Sequence, residues 1–175
     1  MTLEVLINDV ADDLNRTDLT AQCSDAVVMA IRHYDQRRWW FNEGSATFTC
    51  TATSTYSLPS DLRDLDYAEV RLSGGTRSRL KSRSFSEVKQ MLESTSNGDP
   101  SVYAVYDNDI YLYQFPDGTA NGRVVTLYYV KNLANLTATG SNVWTGEYQY
   151  LIRHAAAAYH AVVARSSTVR KSSRK

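Results

Sequence analysis

Leu3, Leu6, Ile7, Val10 and Leu14 recur at three- and four-residue spacing. That stripe predicts a helix from Leu3 to Asn15, with Thr2 as N-cap and Glu4 in the first turn. A second stripe, Cys23, Ala26, Val27, Ala30, Ile31 and Tyr34, predicts a helix from about Thr20 to Arg38. The link at Arg16 to Leu19 is short, so the two helices are expected to run antiparallel. The period then changes. Ala46, Phe48 and Cys50 alternate with polar neighbours, as in a strand with one wet face. Short strands are expected at Thr55 to Leu58, which Pro59 ends, and at Tyr67 to Leu72, before a Gly74-Gly75 turn. Arg77 to Arg83 reads as a basic edge or loop.

Ser84-Phe85-Ser86-Glu87 has the form of a capping box and predicts a helix to about Glu93. Ser101 to Tyr106 and Ile110 to Phe115 alternate around Asp107-Asn108-Asp109, a hairpin signal. A turn at Phe115 to Gly118, a strand at Arg123 to Val130 and a polar loop at Lys131 to Asn142 follow. The last predicted helix, about Gly146 to Arg165, places Tyr148, Leu151, Ile152, Ala155, Tyr159 and Val162 on one face. No repeat of solenoid length is visible. The expected fold is α+β. Two N-terminal helices (1–42) and a closing helix (143–165) form an antiparallel helical bundle. An antiparallel β-rich subdomain with one short helix (43–142) is inserted into it, and 166–175 form a basic C-terminal arm.

Trp39, Trp40 and Phe41 stand where the period changes. Three consecutive large rings cannot share one face of a helix or strand. They are expected either to plug a single core or to serve as a subdomain junction or inter-subunit contact.

Charge changes the picture more than composition does. Nineteen Lys and Arg balance nineteen Asp and Glu, yet the signs are segregated. Glu4, Asp9, Asp12, Asp13, Asp18 and Asp25 face one early base, Arg16. At the other end Arg165, Arg170, Lys171, Arg174 and Lys175 meet no acid. Such asymmetry marks an interaction tail rather than a fold feature. The tail has three readings: a nucleic-acid arm, a solubilising end, or an arm that orders on a partner. It lacks aromatics for base stacking. No apolar run reaches membrane-spanning length, so no membrane partner is expected. The acidic amino terminus does not read as a secretory signal. Cys23 and Cys50 suggest reduced thiols rather than a disulfide framework or zinc site.

Catalytic signatures are missing. There is no phosphate-cradling glycine loop and no nucleophile elbow. His154 and His160 are six apart and do not share a helix face, and His33 is remote from both. Asp61, Asp64 and Asp66 form a carboxylate cluster best read as a solvated turn after Pro59, with too few ligands for a hard cation. Asn15-Arg16-Thr17 and Asn135-Leu-Thr137 match glycosylation sequons by letter only. No catalytic residue, no metal and no cofactor is expected, and the chain reads as a binding or structural protein.

A helix ending in Tyr34, then Arg37, Arg38, Trp39, Trp40, Phe41, Asn42 and Glu43, then a Thr-rich strand closing on Tyr56-Ser57-Leu58-Pro59-Ser60-Asp61, resembles head-to-tail adaptors of tailed bacteriophages. The stretch is also distantly similar to tail tubular protein A of short-tailed phages. The Tyr111 to Pro116 strand and the Ala-rich closing helix fit the same order. The resemblance implies a twelve-membered ring that docks on the portal protein, extends the DNA channel without sequence recognition and receives a tail or nozzle component. It implies a place at the head-tail junction of the virion, after synthesis in the host cytoplasm. Arg165, Arg170, Lys171, Arg174 and Lys175 would grip the portal. Glu4 and Asp12 would face the channel or a basic neighbour. The alternative is a small DNA-binding protein using the basic arm with Arg71, Arg77, Arg79, Lys81 and Arg83.

Overall fold

Thr2 caps the first helix, α1 (Leu3–Asp13), its hydroxyl accepting from the Val5 N–H at 3.4 Å. This computed structural model describes residues 1–15, 17–94, 97–114, 122–133 and 136–159. Leu3, Leu6, Val10 and Ala11 are buried, and Asn15, at φ 50, follows the helix in the left-handed conformation that helix ends favour. The second helix, α2 (Thr20–Asp35), buries Cys23, Ala26, Val27 and Ala30. It stops short of Arg38, because the Tyr34 carbonyl is taken by the Arg37 N–H and by the Trp39 indole N–H at 2.8 Å.

Two compact units divide the chain: residues 1–41 with 133–175, and residues 42–132. In the first, α1, α2 and a helix over residues 149–159, α4, feed one core, to which Trp144, Ile152 and Ala156 also belong. The start of α1 is fastened to the returning chain: the Leu3 and Glu4 N–H groups donate to the Gly140 and Ala138 carbonyls at 3.0 Å. The α4 stripe differs from expectation. Ile152 and Ala156, one turn apart, are buried, whereas Tyr159 is 44% exposed.

Among the described residues the second unit holds eight strands and a third helix. They are β1 (Glu43–Thr49), β2 (Thr55–Ser57), β3 (Leu62–Arg71), β4 (Arg77–Arg79), β5 (Lys81–Ser82), α3 (Phe85–Glu93), β6 (Val102–Tyr106), β7 (Asp109–Tyr113) and β8 (Val124–Lys131). One four-stranded sheet has the order β1-β8-β3-β4, and the other β2-β7-β6-β5. Both feed one core, with Ala68, Val70, Val125, Leu127 and Tyr129 from the first and Tyr103, Ile110 and Leu112 from the second. The fold is therefore α+β with antiparallel-rich sheets. One pair departs from the expected antiparallel pattern: β5 runs parallel to β6.

Three expectations are corrected in this unit. Asp64 and Asp66 do not lie in a turn after Pro59; they are exposed residues of the long strand β3, whose register shifts beside each of them. Arg77 to Arg83 is not one edge but two. Leu80, 3% exposed, is the crossing point between β4 of one sheet and β5 of the other. Asp109 is not part of the hairpin turn. It pairs with Tyr106, leaving Asp107 and Asn108 at φ 50 and 63, the left-handed pair of a type I′ turn.

The capping box on α3 forms as its spacing requires. The Ser84 hydroxyl accepts from the Glu87 N–H at 3.4 Å, and the Glu87 carboxylate accepts from the Ser84 N–H at 3.0 Å. The Ser84 hydroxyl also donates to the Glu87 carboxylate at 2.6 Å, and this bond first, then the Ser84 N–H, with Arg83 nearby, holds the Glu87 carboxyl below its usual range.

Candidate interaction surfaces

Aromatic side chains build the first surface, within the helical unit. Trp144 is fully buried, and its indole N–H donates to Asp35 Oδ1 at 3.4 Å. A local turn sets its angle: Asn142 Oδ1 accepts from the Trp144 and Thr145 N–H groups at 2.9 and 3.4 Å. Phe41 meets Trp144 edge-on at 5.0 Å and stacks on Tyr148 at 5.3 Å with the planes inclined by 29°. Trp39 is stacked against Phe41 with an interplanar angle of 9°. Trp40 closes the cluster from outside, edge-on to Phe41 and Tyr148, and remains 66% exposed. The consecutive rings thus split, two against the core and one into solvent.

Charge builds the second surface, on the outer side of the β1-β8-β3-β4 sheet. Tyr67 and Tyr128 stack at 4.5 Å, and the Arg79 guanidinium lies 4.7 Å from the Tyr67 ring centre. Arg77 donates to Glu69 at 2.8 Å and to the Tyr128 hydroxyl at 3.3 Å. Tyr128 also donates to Glu69 at 3.1 Å, and this carboxylate contact is the main cause of its raised pKa. Arg71 stands directly opposite Arg77 in the register. A third, smaller group is aromatic. Phe85 of α3 stacks on Tyr106 at 4.1 Å, leaving Tyr106 53% exposed beside Val105.

Among the described residues no three His, Cys, Asp or Glu side chains group as metal ligands. Asp61 instead accepts from the Tyr129 hydroxyl at 2.9 Å. Both cysteines are buried and unbridged. Among the described residues no helix is long and apolar enough to cross a membrane. A family model described as SU10 adaptor protein matches residues 1–172, both units together.

The chain belongs to the SU10 adaptor protein family. Its role is that of a phage adaptor, a structural one. No curated protein matches the chain.

In this adaptor, Glu4 and Asp12 are exposed on α1, one row apart from the buried stripe. Arg165, Arg170, Lys171, Arg174 and Lys175 lie outside the described residues, as do His160 and Val162. Sequence reasoning missed two features. Trp144 lay between a predicted loop and a predicted helix; the Asn142-x-Trp-Thr145 turn was its only local signal. The other is Arg153, which binds Asp9 and Asp13 together. The four-residue spacing of those acids on α1 was visible, but their partner on α4 was not.

Proposed function

We propose that this adaptor assembles as a ring, twelve copies around the DNA channel, which docks on the portal protein and presents a surface to a tail or nozzle component. The observation that carries the reading is the family match across residues 1–172, which takes in both units rather than one grafted segment. The helical unit is read as an antiparallel bundle of α1, α2 and α4. The β-rich unit contacts neighbours or the tail. DNA passes without sequence recognition, and the ring sits at the head-tail junction of the virion after synthesis in the host cytoplasm. The likeness to tail tubular protein A belongs to the same reading.

Residue roles follow from the chemistry. Arg165, Arg170, Lys171, Arg174 and Lys175 are assigned to portal binding, where arginine forks would pair with carboxylates. Trp39, Trp40 and Phe41 are assigned to the subdomain junction or a subunit contact. The exposure of Trp40 favours a contact, since a packed tryptophan is a frequent anchor of interfaces. Glu4 and Asp12 have two places in a ring: the channel wall, where they would repel phosphates, or a basic neighbour. Imaging of negatively stained protein mixed with purified portal tests the proposal. Rings seated on the portal are expected; an unoccupied portal at saturating adaptor rejects it.

A second reading, DNA binding, is favoured by Arg79 lying over Tyr67 on an exposed sheet face. Salt-sensitive DNA affinity without any assembly would support it over the ring.

A further inference from the structure

We infer that the basic edge made by β3, β4 and β5 docks against the acidic row of α1 on a second copy of the chain. The inference rests on the ring reading and names the contact between neighbours.

The argument is one of unequal pairing. From Arg71 to Arg83 the chain carries Arg71, Arg77, Arg79, Lys81 and Arg83, no acid, and all five are exposed. Two are neutralised within the unit, Arg77 by Glu69 at 2.8 Å and Arg83 by Glu87 at 3.4 Å. Arg71, Arg79 and Lys81 make no ion pair among the described residues. On α1 the reverse holds. Arg153 neutralises Asp9 and Asp13 at 3.1 and 2.7 Å. Glu4 and Asp12, with Asn8 between them, stay exposed and unpaired among the described residues. A chain with no net charge thus displays an unmatched base cluster and an unmatched acid row.

Edge charges also protect sheets from unwanted pairing, and a few bases on the three-residue β4 would suffice for that. Edge protection does not account for Arg71, which stands on β3, an inner strand of its sheet, opposite an Arg77 whose charge Glu69 already meets. The basic span is shorter than the acidic one and reaches it only through its long side chains. Glu4 and Asp12 are eight residues apart, about 12 Å along a helix. Arg79 and Lys81 are about 7 Å apart along an extended chain, and long side chains extend that span. Because the two patches differ, the contact is heterologous, and such contacts generate rings when the rotation closes.

Sedimentation velocity of the full chain over a concentration series, at low and high salt, tests the contact. Wild-type protein is expected to self-associate at low salt and less at high salt. The double variants Arg71→Glu/Arg79→Glu and Glu4→Lys/Asp12→Lys are expected to associate about tenfold more weakly. Combining all four changes restores the charge match and is expected to restore association. Lys81→Glu serves in place of the arginine pair if that variant does not fold. Unchanged association in both double variants, failure of the combined variant to recover, or a monomer at every concentration overturns the inference. An Arg71→Glu/Arg79→Glu chain that loses DNA affinity but still associates also overturns it and makes the edge a nucleic-acid surface. Portal imaging separates the two levels. Wild-type rings with indifferent charge variants remove only the inference, whereas no wild-type ring removes the reading beneath it.

Discussion

Arg153 holds Asp13 through a two-pronged grip, Nε to Oδ2 at 3.0 Å and Nη2 to Oδ1 at 2.7 Å, joining α4 to α1. Its remaining amino group, Nη1, donates to Asp9 at 3.1 Å, one turn earlier on α1. One planar guanidinium therefore reads two carboxylates at helical spacing, one of them through a fork that a lysine ammonium lacks. The site is partly exposed, with 23% of the Arg153 side chain accessible.

Arg153→Ala should lower stability by about 1–2 kcal/mol, above the range of a single surface pair because four charged hydrogen bonds are lost together. Arg153→Lys should recover less than half of that. Urea unfolding at low and high salt checks both, and the gap between wild type and Arg153→Ala should narrow as salt rises. Equal stability of wild type and Arg153→Ala at low salt would show that the grip adds nothing.

The aromatic cluster separates stability from contact. Trp144→Ala empties a fully buried site and should cost about 3–5 kcal/mol. Trp40→Ala should change stability by no more than about 0.5 kcal/mol, as at other exposed positions. If Trp40 is an interface anchor, the same variant should assemble poorly. Thermal melts set beside ring counts in micrographs give both readouts. A large loss of stability in Trp40→Ala would move it from contact to core.

Cys50, 1% exposed, makes stability depend on pH in the alkaline range. Burial chiefly raises its pKa from 9.0 to about 11; Asp99 adds to the rise, while Tyr56 and Arg123 oppose it. The neutral thiol is the form the fold favours. Below pH 9 it is protonated in both states and its contribution is complete. Between 9 and 11 the unfolded chain ionises while the folded chain keeps its proton, so stability falls. Cys50→Ala should show a shallower fall across that window in urea titrations. Parallel curves would mean that the thiol contributes none of the slope.

Removal of residues 166–175 should leave the melting temperature within about 2 °C of wild type, a shift of no more than about 1 kcal/mol for a chain of this size. It should also abolish stable portal docking, because repeated weak arms around a ring act together. Co-sedimentation with portal measures the second effect, and normal docking by the truncated chain would reassign the five basic residues.

Local rules made much of the secondary structure readable from sequence. The stripes of α1 and α2 follow from 3.6-residue periodicity, the α3 start from a capping box four residues long, and the β6–β7 hairpin from Asp107-Asn108. Each is decided by neighbours within about one turn or one hairpin. Tertiary structure alone decided what depends on distant pairs. Asp35 and Trp144 are separated by 109 residues, and Asp13 and Arg153 by 140. No periodicity links such positions, because their meeting depends on how the returning chain packs. The same holds for Leu80, an unremarkable leucine in a basic run, buried because the chain changes sheets there. It holds too for Trp40, whose exposure beside two half-buried aromatic neighbours was set by the space left around Trp144 and Tyr148.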